Sequence, residues 1–401
     1  MKKWVPLIVL SFALIGFVAY NQANKIVTNY LAELDATIEN ISKKHNNLVS
    51  DLENNVQVLE KQIKDITTLD TKISELSETI WKPVISVRAV PINKDTPPEI
   101  LRMMPGTGGG TGFFFKQEGD EYYIITNLHV IQGYLNDQKN KKPKLKLSVI
   151  TGIVPWEYEA EYVGSDPITD LAILKIKTKE DEKFNVVEFV GKGEVNVGTQ
   201  VVTVGHGLNL FWTITTGIVT GVNRIEAMPL NFMLQHDAVI NMGNSGGPVF
   251  NLDGKVIGVN TLILSPRSRT MNPGWDGIAF AVNAWQALRS AEAILKDGKV
   301  TYPNYDFKVR LATLEEIKAI GDNFEERTYA ILNGIEEDTE AYKAGLRNGD
   351  IVYAVNEYEV YSPVSLMSAV MVYHIGDIVT IKVKRGDELL EFEYELLELK
   401  L

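Results

Sequence analysis

The chain reads as mainly β: a barrel-type body of about 200 residues on a long helical rod, followed by a small α+β domain. Three observations support this. From Leu31 to Ile80 apolar residues recur every three and four positions with no glycine or proline between them. From residue 81 to about Val282 the texture changes to short β-branched and aromatic runs parted by glycine turns. Beyond residue 299, strand-like runs alternate with short helical ones.

The rod comes first in chain order. Met1-Lys2-Lys3 precedes an uncharged run from Trp4 to Tyr20. At ~1.5 Å per residue that run spans ~25 Å, against a hydrocarbon core of ~30 Å. Trp4, Tyr20 and Lys25 would extend the match by interfacial anchoring and snorkelling. The stretch Val18–Ala23 lacks the small-residue pattern of a signal-peptide cleavage site. The expectation is a transmembrane signal anchor over residues 1–23. The leading lysines then put the N-terminus in the cytoplasm and the rest on the extracytoplasmic side, periplasmic or extracellular.

Residues 24–80 form the stalk, which keeps a heptad from Leu31 to Ile80. Its a positions are Leu31, Ile38, His45, Leu52, Leu59, Ile66, Ile73 and Ile80, and its d positions Leu34, Ile41, Leu48, Asn55, Gln62, Leu69 and Leu76. A 3.5-residue period sustained this long predicts a left-handed coiled coil, since a helix lying on a globular surface needs a wider apolar stripe. The polar core positions His45, Asn55 and Gln62 suit register and oligomer-state control. Isoleucine at several a positions leans toward three or more strands.

Trp81-Lys82-Pro83 closes the rod, and residues 81–298 form the β body. Its strand signals include Tyr122–Thr126, Leu171–Ile176, Val201–Val204, Ile214–Val219 and Val256–Thr261, with a helix over Asn283–Lys296 at the end. Residues 299–401 carry strands at Ile351–Val355, Ile378–Lys384 and Leu389–Tyr394, with helices near Glu340–Ala344 and Val364–His374.

Composition excludes several functions. A formal charge of −12 leaves no basic stripe to displace counterions from phosphates, so a nucleic-acid partner is not expected. With no cysteine, disulfides, thiolate chemistry and Cys-type zinc sites are excluded. The run Gly106–Gly110 lacks the Gly-Lys-Ser/Thr of a phosphate loop. No cofactor and no metal are expected.

The chemistry concentrates at three places. Gly243-Asn244-Ser245-Gly246-Gly247-Pro248 offers a serine on a turn whose glycines let backbone N–H groups converge on a developing oxyanion. Thr126-Asn127-Leu128-His129-Val130 follows an apolar strand and puts His129 at its end. Asp170 enters the apolar run Leu171–Ile176, a costly place for a carboxylate without a partner, and Asp166 is a rival acid four residues earlier. The order His, Asp, Ser is that of the chymotrypsin class.

These segments resemble the HtrA (DegP/DegS-like) family of trypsin-like serine proteases carrying a PDZ domain. Gly110-Thr111-Gly112-Phe113, Thr216–Val219, Asp237–Asn241, Gly254–Asn260 and Gly277–Ala281 extend the likeness across residues 81 to 290. The resemblance implies a trypsin-like double β-barrel with Ser245 as nucleophile, His129 as general base and Asp170, which occupies the motif position, as the acid. It also implies an oxyanion hole at Gly243, Asn244 and Ser245, made by the N–H groups of Gly243 and Ser245. Two residues depart from the pattern: Met242 stands where proline is usual and His236 where threonine is usual. His236 reads as a loop or core substitution and His206 as a turn residue. In trypsin-like enzymes the residue six before the nucleophile floors the primary pocket. Here that is Val239, with Ile240, Thr261, Leu262 and Ile263 lining the rest, so apolar side chains are favoured over Lys or Arg.

Ala341–Val352 resembles the A-x-x-A-G-L-x-x-G-D-x-I core of a PDZ domain, which binds extended C-terminal peptides by strand addition. The corresponding carboxylate nest, Tyr305-Asp306-Phe307-Lys308-Val309, lacks a glycine. Asp306 would repel a carboxylate there while Lys308 and Arg310 would attract it, so charge alone does not decide. Weak or altered peptide binding is expected. The resemblance further implies a homotrimer that cleaves unfolded or mislocalised exported proteins, ATP-independent and regulated through its PDZ domain. The alternative of another class is a latent or idle adaptor or holdase using barrel, stalk and PDZ domain for protein binding.

Overall fold

A computed structural model of the chain describes residues 5–92, 109–152, 156–178, 182–206, 210, 212–225, 228, 230–263, 277–319 and 328–398. Most of the glycine run at 106–110 and the extreme N-terminus fall outside these residues.

Helix α1 runs from Val5 to Ser77. Among the described residues no helix is long and apolar enough to cross a membrane. This overturns the single-pass anchor expected over 1–23, and with it the expected sidedness. The physical reason is length. From Val5 to Tyr20 the helix covers ~24 Å, short of the ~30 Å hydrocarbon core, and it continues unbroken into the polar Asn21-Gln22 and Asn24-Lys25. Along the rod, the heptad residues Leu31, Leu34, Ile38, Ile41, Leu48, Leu52 and Leu59 are each more than half exposed.

The body is two closed six-stranded barrels. The first comprises β1 (Val84–Pro91), β2 (Gly109–Glu118), β3 (Glu121–Asn127), β4 (Leu145–Thr151), β5 (Trp156–Asp166) and β6 (Leu171–Lys177), in the order β1-β2-β3-β6-β5-β4. Helix α2 (Leu128–Gln138) follows β3 directly. The second has β7 (Gln200–Gly205), β8 (Thr213–Arg224), β9 (Met233–His236), β10 (Pro248–Phe250), β11 (Val256–Ile263) and β12 (Ala279–Asn283), in the order β10-β11-β12-β9-β8-β7.

The unbroken apolar runs follow from this arrangement, because successive side chains of a strand point to opposite faces. In β6, Ala172, Leu174 and Ile176 fill the first barrel with Phe114, Ile124 and Val149. The alternate residues Leu171 and Ile173 join Phe113, Ile125, Val202, Val204 and Phe250 in a core shared by both barrels. Each face therefore needs an apolar residue. The second barrel fills likewise with Val201, Leu234, Val249 and Ile257.

Helix α3 (Ala284–Asp297) ends on Gly298, whose φ of +70° provides the left-handed cap. Its Ala287, Ala291 and Ile294 enter the shared core. Gly164 makes this approach possible, since a Cβ there would lie 2.6 Å from Ile294 Cγ2.

The C-terminal domain pairs β13 (Pro303–Asn304) with a final strand β20 (Leu397–Glu398). Its main sheet runs β14 (Lys308–Leu311), β15 (Ala330–Asn333), β16 (Ile351–Val355), β18 (Ile378–Arg385) and β19 (Glu388–Glu395), with β17 (Tyr358–Glu359) beside β16. Three short helices complete it: α4 (Leu314–Ala319), α5 (Glu340–Ala344) and α6 (Pro363–Met371). Helix α6 starts at a capping box between Ser362 and Ser365 with proline in its first turn. This is the α+β unit expected beyond residue 299.

The two domains share packing. Ile225 and Phe232 of the second barrel lie in the C-terminal core, with the Phe232 ring stacked 4.8 Å from Tyr358. Beside them the Lys192 ammonium sits 5.3 Å from the Trp285 ring, 5.5 Å from Tyr358 and 5.1 Å from Tyr373. Glu357 is its ionic partner at 3.5 Å.

Candidate active site

The first barrel builds a histidine–aspartate pair. β3 ends at Asn127 and α2 begins at once, so His129 stands in the first turn of the helix. Asp170 ends the turn between β5 and β6 with a φ of +55°, a conformation a non-glycine residue holds only when its surroundings impose it. They do so at four points. Its carbonyl accepts from the Leu128 N–H at 2.8 Å and from Asn127 Nδ2 at 3.0 Å. Its Oδ1 accepts from the His129 N–H at 2.9 Å, and its Oδ2 meets His129 Nδ1 at 2.5 Å. Nε2 is thereby left as the basic nitrogen, while the imidazole remains half exposed.

The second barrel supplies the serine loop, which packs against Thr111 of β2 and the Thr126–Asn127 end of β3. The Ser245 carbonyl accepts from the Thr111 N–H at 2.9 Å. Gly246, at φ +84°, leaves no room for a side chain: a Cβ would overlap the Thr111 carbonyl oxygen and lie 2.9 Å from the Asn127 nitrogen. Behind the loop, Asn260 accepts from the Gly246 N–H at 2.8 Å and donates its own N–H to Gly247 at 2.9 Å. Gly243 holds φ +101°, and its carbonyl accepts from the Thr111 hydroxyl at 2.6 Å. That hydroxyl also accepts from the His206 N–H at 3.0 Å. Asn244 is buried, and its N–H closes a turn onto Asn241 at 3.0 Å. Met242 is exposed.

The other titratable residues separate clearly from this group. Asp166, the rival acid, is completely buried and accepts from Ile168 N–H, Thr169, Ser290 and Tyr302. His206 is buried edge-on to Trp212 at 5.5 Å. His236 is a buried residue of β9 whose Nε2 lies 2.9 Å from Asn260 Oδ1. Burial holds its imidazole below the usual histidine range, and Asn260 and Asp237 offset this only in part. Among the described residues no group of three or more ligating side chains could hold a metal ion.

Of the expected pocket residues, Val239 is 59% exposed, with its carbonyl taken by the Thr215 hydroxyl at 2.7 Å. Ile240 is half-buried. Thr261 is buried, and its hydroxyl is engaged by Asn127 Nδ2 at 3.1 Å and by the Val259 carbonyl at 3.0 Å. It thus serves as a strut between the barrels. Leu262 and Ile263 belong to β11, but their side chains lie outside the described residues. Thr111 and Asn260 stand in segments that carried the family likeness, and Thr261 among the expected pocket residues. Their supporting roles depend on partners far along the chain and could not be read locally.

In the C-terminal domain β14 is an edge strand, with Leu311 and the following Leu314 exposed. Asp306 does not stand free to repel a carboxylate. It accepts from the Glu340 N–H at 2.6 Å, the Ala341 N–H at 3.2 Å and the Tyr394 hydroxyl at 3.0 Å. Phe307, in the stretch that lacks the glycine, is buried and stacked on Tyr305.

Two closed barrels with a histidine–aspartate pair on one and a serine loop on the other, followed by a peptide-binding type of domain, define the class as a trypsin-like peptidase with a PDZ domain. Residues 110–259 match the family described as trypsin-like peptidase domain, and residues 318–396 the PDZ domain. A probable periplasmic serine endoprotease, DegP-like, of Rhizobium meliloti (strain 1021) is 35% identical over 280 residues, covering 69% of this chain and 51% of its own length. Serine protease Do-like HtrA of Bacillus subtilis (strain 168) is 32% identical over 301 residues, covering 70% and 61%. The chain belongs to the HtrA family. It spans about half the length of the first of these relatives. Among solved structures, HtrA-type protease AlgW with tripeptide superimposes with a TM-score of 0.58 at 24% identity, over 82% of this chain and 97% of that one. The serine endoprotease from Yersinia pestis does so with 0.51 at 25%, over 82% and 98%. These likenesses support the double-barrel fold with its PDZ domain.

Proposed function

We propose that the chain is a serine endopeptidase with Ser245, His129 and Asp170 as its triad, acting on unfolded polypeptides without ATP. The observation that carries this is the double contact of Asp170 with His129, at both the backbone N–H and Nδ1, on the strand end against which the Ser245 loop is packed. In that reading His129 Nε2 takes the Ser245 proton as Oγ attacks the scissile carbonyl, then returns it to the leaving amine. Asp170 holds the tautomer and stabilises the imidazolium. The N–H groups of Gly243 and Ser245, flanking Asn244, receive the oxyanion. Hydrolysis of the acyl-enzyme repeats the sequence with water as nucleophile.

Val239 and Ile240 would favour small or medium apolar residues on the acyl side of the cut, since neither can pair with a cation. The open edge of β14 suits a C-terminal peptide ligand added as a strand, and the missing glycine and buried Phe307 in Tyr305–Val309 alter the nest that would hold its carboxylate. The exposed heptad stripe of α1 suits a parallel coiled coil and a homotrimer.

The deciding experiment is digestion of casein by the purified chain and by Ser245→Ala, with and without a serine-directed inhibitor. Cleavage that the inhibitor and Ser245→Ala both abolish, in a protein whose circular dichroism is unchanged, is expected. Equal cleavage by Ser245→Ala would refute the assignment.

A further inference from the structure

The turn that carries Asp170 begins at Asp166, a carboxyl group with no part in the reaction proposed above. Its Oδ1 accepts from the Ile168 N–H at 3.0 Å and its Oδ2 from the Thr169 hydroxyl at 2.7 Å. Both donors lie within the turn, immediately before the catalytic acid. Two more donors come from elsewhere: the Ser290 hydroxyl of α3 at 2.6 Å, and the hydroxyl of Tyr302, in the segment that leads into the PDZ domain. Burial and the adjoining Asp166 push the Tyr302 phenol far above its usual range, so it stays a donor. The Arg289 guanidinium lies 5.6 Å from the Tyr302 ring centre. Its Nη1 donates at 2.5 Å to the carbonyl of Met371, the last residue of α6. The crevice these groups line has a volume of only about 10 Å³, too small for a ligand larger than water. The cluster therefore serves geometry.

We propose that Asp166 is a positioning residue for the triad, and that Tyr302 and Arg289 make this positioning depend on the seating of PDZ helix α6. The proposal rests on the triad assigned above. Asp170 holds a left-handed backbone that persists only while its neighbours impose it. Asp166 fixes the two residues before it, and a donor on each side of the domain junction fixes Asp166. With α6 seated, Met371 holds Arg289 over Tyr302, and the phenol points at Asp166. Displacing α6 removes the acceptor from Arg289, loosens Tyr302 and frees the turn, which degrades the His129–Asp170 bond without any change at Ser245.

The test uses the full chain. Steady-state hydrolysis of a fluorogenic peptide and the low-field proton resonance of the His129 Nδ1–H bond are measured for wild type, Tyr302→Phe, Arg289→Met and the double variant. Tyr302→Phe is expected to lower kcat about tenfold, the loss of roughly one hydrogen bond to a charged group. KM should stay within about twofold, and the resonance should shift or broaden. Arg289→Met should act in the same direction, with no further loss in the double variant. Wild-type kcat and an unmoved resonance in Tyr302→Phe would overturn the positioning role, even if thermal stability fell. Strictly additive losses would overturn the link to α6. Ser245→Ala keeps the two readings apart: residual activity there sinks the triad itself, whereas a dead Ser245→Ala beside an unaffected Tyr302→Phe sinks only the positioning chain.

Discussion

The Thr111 hydroxyl donates to the Gly243 carbonyl at 2.6 Å, linking a strand of the first barrel to the Gly243–Ser245 loop of the second. The same residue's N–H donates to Ser245, so one side chain and one backbone group hold both ends of the Gly243–Ser245 segment. Thr111→Val keeps the shape and removes the hydroxyl. The expected result is a fall in kcat of about tenfold, corresponding to ~1.4 kcal/mol, with KM nearly unchanged. Peptide hydrolysis at saturating substrate measures it, and a variant matching wild type would mean the loop holds its shape unaided.

Asp170→Asn leaves the turn and its backbone contacts in place but presents an amide to His129 Nδ1. An amide N–H there favours the wrong imidazole tautomer. Activity is expected to fall by on the order of 10⁴ at neutral pH. A loss under tenfold would show that Asp170 is not the acid of the triad.

His236 makes stability depend on pH. Burial holds its pKa in the folded state below the unfolded value of about 6.5. As pH falls below that unfolded value, the unfolded chain takes up a proton that the folded chain refuses. Stability is therefore complete above the unfolded pKa and declines as pH drops through it toward the folded pKa. His236→Gln keeps a donor for Asn260 and should flatten that part of the profile. Urea unfolding of both proteins at pH 5 and pH 8 is the comparison. Parallel losses would dismiss His236 as the source.

Lys192 ties the second barrel to the PDZ domain through three aromatic rings and Glu357. Because its side chain is 44% exposed, the cluster is expected to contribute only about 1 kcal/mol. Lys192→Met retains the length and discards the charge. Limited proteolysis in the segment 298–302 should quicken several-fold while the barrel unfolds as before. An unchanged cleavage rate would assign the domain junction to apolar packing alone.

The rod is tested by itself. A peptide of residues 27–80 should be helical and trimeric by sedimentation at tens of micromolar. A disordered monomer would remove the coiled coil, and a clean dimer the trimer.

What could be read from the sequence was what chemistry makes local. His129, Asp170 and Ser245 stand in short motifs because a turn, a strand entry and a glycine loop each need particular neighbours. The helices expected at Glu340–Ala344 and Asn283–Lys296 are found at Glu340–Ala344 and Ala284–Asp297. Thr111 was not legible, since its partner Gly243 lies 132 positions away. Asp166 could be seen as an acid but not assigned a role, because Ser290 and Tyr302 reach it across 124 and 136 positions. Asp306 could be seen near the expected nest, but not its role as a cap on α5, because the Glu340 and Ala341 N–H groups it accepts from lie 34 and 35 positions away. The N-terminal anchor failed because the uncharged run is short and interfacial anchoring was counted on to close the gap; no described helix is long and apolar enough to cross a membrane.

The division of the site between the barrels has a consequence for biogenesis. On the proposed triad, base and acid belong to residues 84–177 and the nucleophile loop to residues 243–248, and Thr111 and Asn127–Thr261 join them only once β11 is in place. During synthesis the first barrel emerges with a histidine and an aspartate but nothing for them to activate. On the proposed mechanism, a half-made chain cannot cut itself or its neighbours. On that mechanism, catalytic competence arrives late and all at once, as a by-product of completing the fold.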